Sequence, residues 1–553
     1  MQEIRIELDV PVPMRDGTVQ YADVYRPAAE GKYPVLLTRQ PYGKSVTTFL
    51  DPKKLVPAGY VVINQDVRGR FGSEGEWIPW KHEREDGYDT VEWAASLPYS
   101  TGKVGMFGTS YFGSTQWSAA IAQAPSLRTI VPEITWSDPE DGLMFRGGAI
   151  ELGLNVYWAF GQGLGQIMSS ALDPREKMAR FGAAVSAVES MASDTYWQLP
   201  SGALPALEAL GQPDIGVTRA LADPATMDEA RVSNRFDNIS IPTLNFGGWY
   251  DVFLQGTLDN HVGMRSRGQT SRLIVGPWGH RTITNPAEGM IGEVNFGFGS
   301  MGVNGRQIVD LHREWYDHWL KDLPATEAHK SGVLLFVMGA NEWRAEEEWP
   351  LARAQDTALH LSSGGALDWD APSDETAESG FTYDPADPVM TRGGNLVMAP
   401  EFQPGPFNQR DVEARDDVLV FSTEPLVEDL EITGRVRATL YASTDGPSTD
   451  WVVRLCEVDS KGISRNIVDG ITRVHTQPGR IDEVEVDLWS TSILIKAGHR
   501  LRVHVTSSSF PRWDRNLNTG EPVTEATQMR VANNRIYHDA SRPSRIILPV
   551  VKD

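Results

Sequence analysis

Three times in this chain a short apolar run stops at a glycine turn that carries one chemically active side chain. Val104-Gly105-Met106-Phe107 leads into Gly108-Thr109-Ser110-Tyr111-Phe112-Gly113, and Pro242-Thr243-Leu244-Asn245-Phe246 leads into Gly247-Gly248-Trp249-Tyr250-Asp251. Arg272-Leu273-Ile274-Val275 then leads into Gly276-Pro277-Trp278-Gly279-His280. With Val35 to Thr38, Tyr60 to Ile63 and Ile130 to Pro132, these runs suit a parallel sheet covered on both faces. Open sheets of that kind bind ligands at the carboxyl ends of their strands. The expected fold class is therefore α/β.

The first turn has the form of a nucleophile elbow, with a hydroxyl at the apex, small flanking residues and a helix-like run, Thr115 to Ala124, behind it. It departs from G-x-S-x-G, because Phe112 stands two places after the serine and Gly113 one later. Alone, the stretch reads more readily as an ordinary strand-turn-helix joint. The order along the chain decides: α/β-class serine hydrolases run Ser, then acid, then His, each after a strand. Ser110, Asp251 and His280 follow that order.

The three motifs together resemble the cocaine esterase family of α/β-hydrolases, related to the Xaa-Pro dipeptidyl peptidases and the α-amino acid ester hydrolases. Val12-Pro13-Met14-Arg15-Asp16-Gly17, Tyr25-Arg26-Pro27 and Ser507-Ser508-Ser509-Phe510-Pro511 extend the resemblance over nearly the whole chain. It implies a catalytic triad of Ser110, His280 and Asp251 working through an acyl-enzyme, with no cofactor and no metal. The Tyr111 N–H is the first expected oxyanion donor. The second belongs to the loop Arg39-Gln40-Pro41-Tyr42-Gly43, which lacks a run of glycines; the resemblance gives the role to the Tyr42 hydroxyl. It also implies a structural role for Asp66, paired with a nearby arginine.

Two carboxylates that hold a substrate ammonium in the amino ester hydrolases would fall two and three places after Asp251. Here those places are Phe253 and Leu254, and an apolar pair cannot stabilise a buried ammonium. The resemblance instead implies an apolar acyl pocket of Trp158, Phe253, Val397 and Met398, with Phe145 or Met144 near it. Such a pocket favours an uncharged aromatic or branched acyl group. Two rivals stay open: an acylase or peptidase that cleaves amides with the same triad, and a ligand-binding protein with a relict hydrolase domain.

At 553 residues the chain exceeds what one core holds, so several domains are expected. Residues 1–137 and 236–354 carry the α/β pattern of a catalytic domain. Residues 138–235, with helix-like stretches at Arg175 to Ser193 and Ala203 to Leu210, read as a helical cap. Residues 355–553 alternate like strands of an antiparallel β-sandwich, a jelly roll by the resemblance. On a segment from about Gln307 to Lys321, Ile308, Leu311, Trp315 and Trp319 fall on one helical face and read as core.

The net charge of −23 opposes binding to nucleic acid or anionic lipid, and no apolar run approaches the ~18 residues of a membrane span. Cys456 is the only cysteine, which removes any intrachain disulfide. With no apolar signal region at the amino terminus, the expectation is a cytoplasmic enzyme acting on a small-molecule ester; a homodimer stays open. His82, in the charged run Lys81 to Asp86, reads as part of a solvated helix face. His312 and His318 have no second ligand at metal spacing.

Overall fold

The computed structural model describes residues 3–45, 50–170, 172–210, 214–281, 283, 289–330 and 332–552. Among them ten strands form one sheet. In chain order they are β1 (Ile4–Pro13), β2 (Val19–Pro27), β3 (Tyr33–Gln40), β4 (Val61–Asp66), β5 (Ser100–Thr109), β6 (Leu127–Glu133), β7 (Thr243–Gly248), β8 (Ser271–Gly276), β9 (Val333–Val337) and β10 (Glu342–Glu346). Their order across the sheet is β1-β2-β4-β3-β5-β6-β7-β8-β9-β10. Pairing is parallel from β4 to β9 and antiparallel at both margins.

The continuous apolar runs are explained by burial on both faces. Val35, Leu37, Val104 and Met106 pack with Val91, Ala94 and Trp117 of the helices α1 (Glu83–Ser96) and α2 (Tyr111–Ile121). Leu36, Phe107, Phe246 and Ile274 point the other way, against Leu311, Trp315 and Tyr316 of a later helix, Ile308–Lys321. Alternate residues of one strand thus serve two cores, as the two-residue period requires. The face read from tryptophan spacing is indeed inward, with Leu311 and Trp315 buried.

Between β6 and β7 the chain makes a mostly helical insertion that includes α3 (Leu152–Ser169) and α4 (Pro174–Glu189). It is tied to the sheet's loops by indole donors: Trp80 Nε1 to the Ile215 carbonyl at 2.8 Å and Trp136 Nε1 to the Ala230 carbonyl at 2.9 Å. After β10 the regular structure of the described chain is mostly strand. Leu430–Thr444 pairs antiparallel with Asp482–Ile495, and Ser448–Val458 with both Ser464–His475 and Arg500–Thr506. This β-rich part shares one core with the ten-stranded sheet and its loops, in which Trp249, Leu254 and Phe336 meet Val436, Leu488 and Trp489. No helix among the described residues is long and apolar enough to cross a membrane.

Candidate active site

Thr109, Glu133, Phe246 and Ile274 lie level across the neighbouring strands β5, β6, β7 and β8. Ser110, Asp251 and His280 follow that level on three of the four, at the carboxyl edge. Ser110 sits at φ 56°, ψ −120°, a backbone state that costs a non-glycine residue of order 1–3 kcal/mol unless its surroundings hold it. They do: its N–H donates to the Glu133 carbonyl at 3.0 Å, and its carbonyl accepts from Thr135 Oγ1 at 2.9 Å. The displaced glycine also has its reason. A Cβ on Gly113 would lie 2.8 Å from Thr135 Cβ, and one on Gly108 would lie 2.4 Å from Phe112 Cβ. Gly108 makes room for a buried phenylalanine at the place where the motif has glycine, and Gly113 lets α2 close onto β6.

The Tyr42 hydroxyl lies near the Ser110 side chain and accepts from Trp158 Nε1 at 3.1 Å. Burial pushes its pKa up to about 12, against the opposing effects of the Trp158 bond and the Arg70 charge. Tyr111 is the first residue of α2, where backbone N–H groups have no partner inside the helix. Its side chain is buried, and the hydroxyl donates to Glu83 Oε1 at 2.8 Å. Glu83 in turn meets Arg39 Nη1 through its other oxygen, at 2.8 Å. The charged run around His82 is therefore only partly a solvated face. Glu83 and Asp86 are buried, because Arg39 and Arg68 offset their charge.

The acid and the imidazole are paired. His280 Nδ1 lies 2.6 Å from Asp251 Oδ2, while Asp251 Oδ1 accepts the Phe253 N–H at 2.7 Å. Their two loops are stitched together, Trp249 N–H to the Gly276 carbonyl at 2.9 Å and Tyr250 N–H to the Trp278 carbonyl at 3.0 Å. This closeness needs glycine at 248, where a Cβ would fall 2.3 Å from the Trp278 oxygen. One contact comes from the β-rich part: Asn395 Nδ2 donates to the carbonyls of Trp249 (2.9 Å) and Asp251 (3.0 Å). Sequence reasoning missed Asn395, since nothing in its surroundings marks it.

The residues expected to form an acyl pocket come together. Phe253, Met398 and Met144 belong to one buried cluster with Tyr111, and Tyr42, Phe145, Trp158 and Val397 pack against it. The Phe253 ring also meets the His280 imidazole edge to face, with centroids 5.5 Å apart. Asp66 departs from expectation: its carboxylate accepts the Lys44 backbone N–H at 2.7 Å rather than pairing with an arginine. Burial raises its pKa to about 7. His312, on the helix behind the sheet, has Nε2 at 2.7 Å from Glu133 Oε1. Among the described residues no cluster of His, Cys, Asp and Glu could hold a metal ion.

A family model described as X-Pro dipeptidyl-peptidase (S15 family) matches residues 16–282, and one for the C-terminal non-catalytic domain of those enzymes matches residues 328–547. The cocaine esterase of Rhodococcus sp. (strain MB1 Bresler) is 34% identical over 98% of both chains. A putative serine esterase of Mycobacterium tuberculosis is 23% identical over 98% of this chain and 95% of its own. An α-amino acid ester hydrolase superposes with a TM-score of 0.82 at 25% identity, covering 99% of this chain and 97% of that one. The chain therefore belongs to the cocaine esterase family and is a serine hydrolase of the α/β-hydrolase fold with a C-terminal β-rich domain.

Proposed function

We propose that this serine ester hydrolase works through Ser110, His280 and Asp251 and stabilises its tetrahedral intermediate with the Tyr42 hydroxyl and the Tyr111 N–H. The observation that carries the reading is the pairing at the sheet edge. A strained Ser110 stands near the Tyr42 hydroxyl, at the same sheet edge as an imidazole whose Nδ1 is held at 2.6 Å by a wholly buried carboxylate. Asp251 fixes the tautomer that leaves His280 Nε2 to take the serine proton. The serine oxygen adds to the acyl carbon, and the imidazolium returns the proton to the departing alcohol. Water, deprotonated by the same imidazole, then releases the acid.

The acyl group lies among Trp158, Phe253, Val397, Met398 and Phe145, which favours an uncharged aromatic or branched acyl chain. Residues 138–235 act as a cap that brings Trp158 to the serine. Residues 355–553 form the jelly roll that brings Val397 and Met398, and residues 1–137 and 236–354 are the catalytic domain. The apolar Phe253 and Leu254 beside the acid speak against substrates with a free α-ammonium.

The test is pre-steady-state turnover of p-nitrophenyl acetate, butyrate and benzoate by wild type, Ser110→Ala and Tyr42→Phe. The reading expects a nitrophenol burst that Ser110→Ala abolishes. Tyr42→Phe should lower kcat by ~10²–10³. Folded wild-type protein that gives neither burst nor turnover rejects it.

A further inference from the structure

On α3 of the insertion, Trp158, Gln162 and Gln166 recur every four residues and so lie along one helical face. Trp158 reaches Tyr42 directly, and the two glutamines reach its loop through Arg70. Trp158 Nε1 donates to the Tyr42 oxygen at 3.1 Å. Gln166 Oε1 accepts from Arg70 Nη1 at 2.9 Å, and Gln162 accepts from Arg70 Nη2 through its side chain at 3.3 Å and its carbonyl at 3.4 Å. The remaining Arg70 nitrogen, Nε, donates to the Pro41 carbonyl at 2.8 Å, one residue before Tyr42. Arg70 is buried and lies over the Trp77 ring, 4.4 Å from its centroid. It is a fork with one tine on the Tyr42 loop and two on α3.

The chemistry of the donors gives this arrangement a direction. An indole N–H only donates, so where it meets Tyr42 the phenol must accept. The single phenolic proton is then left for the other side, where Ser110 stands and where oxyanion charge develops. We infer that Trp158 and Arg70 are positioning residues for the oxyanion donor: α3 of the insertion, rather than the sheet, sets where the Tyr42 proton points. The inference rests on the reading of Tyr42 as that donor. It assigns Trp158 a polar function in addition to its contact with the acyl group. The Trp158 bond and the Arg70 charge both favour the phenolate side of the Tyr42 equilibrium, which makes the phenol a stronger hydrogen-bond donor.

The experiment is a double-mutant cycle with Trp158→Phe, Tyr42→Phe and the double variant. Trp158→Phe keeps an aromatic ring and removes the N–H. It is expected to lower kcat for p-nitrophenyl butyrate about tenfold with KM within twofold, because a misdirected donor is felt only in the transition state. Binding of a boronic acid, whose serine adduct places a tetrahedral oxygen in the hole, should weaken by the same factor. In the Tyr42→Phe background the second change should cost nothing further. Arg70→Gln gives a second arm without touching the pocket and should show the same kcat loss and the same non-additivity.

A Trp158→Phe effect that multiplies in full onto Tyr42→Phe, or one that appears in KM alone, overturns the inference and leaves Trp158 as a plain pocket wall. Tyr42→Phe with wild-type turnover overturns the oxyanion reading and the inference with it. The first failure leaves Tyr42→Phe crippled and the second does not, so they are distinguishable.

Discussion

Asp251 has no spare oxygen. Oδ1 takes the Phe253 N–H and Oδ2 takes His280 Nδ1. An asparagine in its place accepts at one position only and turns an amide N–H toward one of the two donors. Asp251→Asn should therefore release His280 into the wrong tautomer and lower kcat by ~10⁴ while KM stays within a few-fold. Steady-state kinetics on p-nitrophenyl butyrate measures this, and a variant that keeps a tenth of wild-type turnover would show that other groups orient the ring. Tyr42 carries a pH prediction of its own. The acid form of a phenol is the donor, and burial delays its loss from an ordinary value of 10.0 to about 12. The ratio of wild-type to Tyr42→Phe turnover should thus stay flat from about pH 7 to about pH 11, although an exposed tyrosine would have lost most of its protons by then. A ratio falling tenfold over that range would place Tyr42 in contact with solvent.

At the scale of the element, the elbow from β5 through Ser110 to α2 is held by close packing. Gly113→Ala sets a methyl 2.8 Å from Thr135 Cβ and 3.3 Å from the Glu133 carbonyl oxygen, the same two residues that hold Ser110. Overpacking there should cost ~1–3 kcal/mol of stability and shift the serine, seen together as a lower Tm and a lower kcat. An unchanged kcat at lower Tm would show that the elbow absorbs the methyl without moving Ser110. This element also marks how far sequence reasoning reached. The strand ends and the order Ser, Asp, His are written in local patterns of apolar runs and glycine stops, which report which face and which edge a residue occupies. Phe112 in a glycine's place was not explicable locally, because its partner Gly108 acts through the shape of the turn. The buried Glu83 was hidden in a charged run, since its compensating Arg39 lies 44 residues away. The bonds from Trp158 to Tyr42 and from Asn395 to Asp251 join residues 116 and 144 apart, and no periodicity encodes such pairs.

Taken whole, the molecule completes its site from three directions, and its parts are locked to one another by buried polar groups. Arg146 of the insertion lies 3.7 Å over the Trp489 ring of the β-rich part and donates to the Asp469 carbonyl at 2.6 Å. Asn395 holds the acid loop, and Asn395→Ala would leave two buried carbonyls without that donor, at ~1–3 kcal/mol. Acid conditions can ask whether this locking makes the chain unfold as one body. Within the β-rich part, burial would raise the Glu413 pKa. The hydrogen bond from His504 Nε2 at 3.0 Å and the charge of Arg502, whose Nη1 lies at 2.6 Å, more than offset this and hold it near about 2, against an ordinary 4.5. Depressed in the folded state, the group stabilises the protein fully above pH 4.5 and loses that contribution as pH falls toward 2. The Tm advantage of wild type over Glu413→Gln should therefore be greatest near neutrality and shrink between pH 5 and pH 3. Glu413 is far in sequence from Ser110, Asp251 and His280, yet esterase activity should be lost at the same midpoint as the amide hydrogen-exchange protection of the strands Leu430–Thr444 and Asp482–Ile495, because the acid loop depends on Asn395. Activity that survives past that midpoint would show that the catalytic sheet stands without its β-rich support.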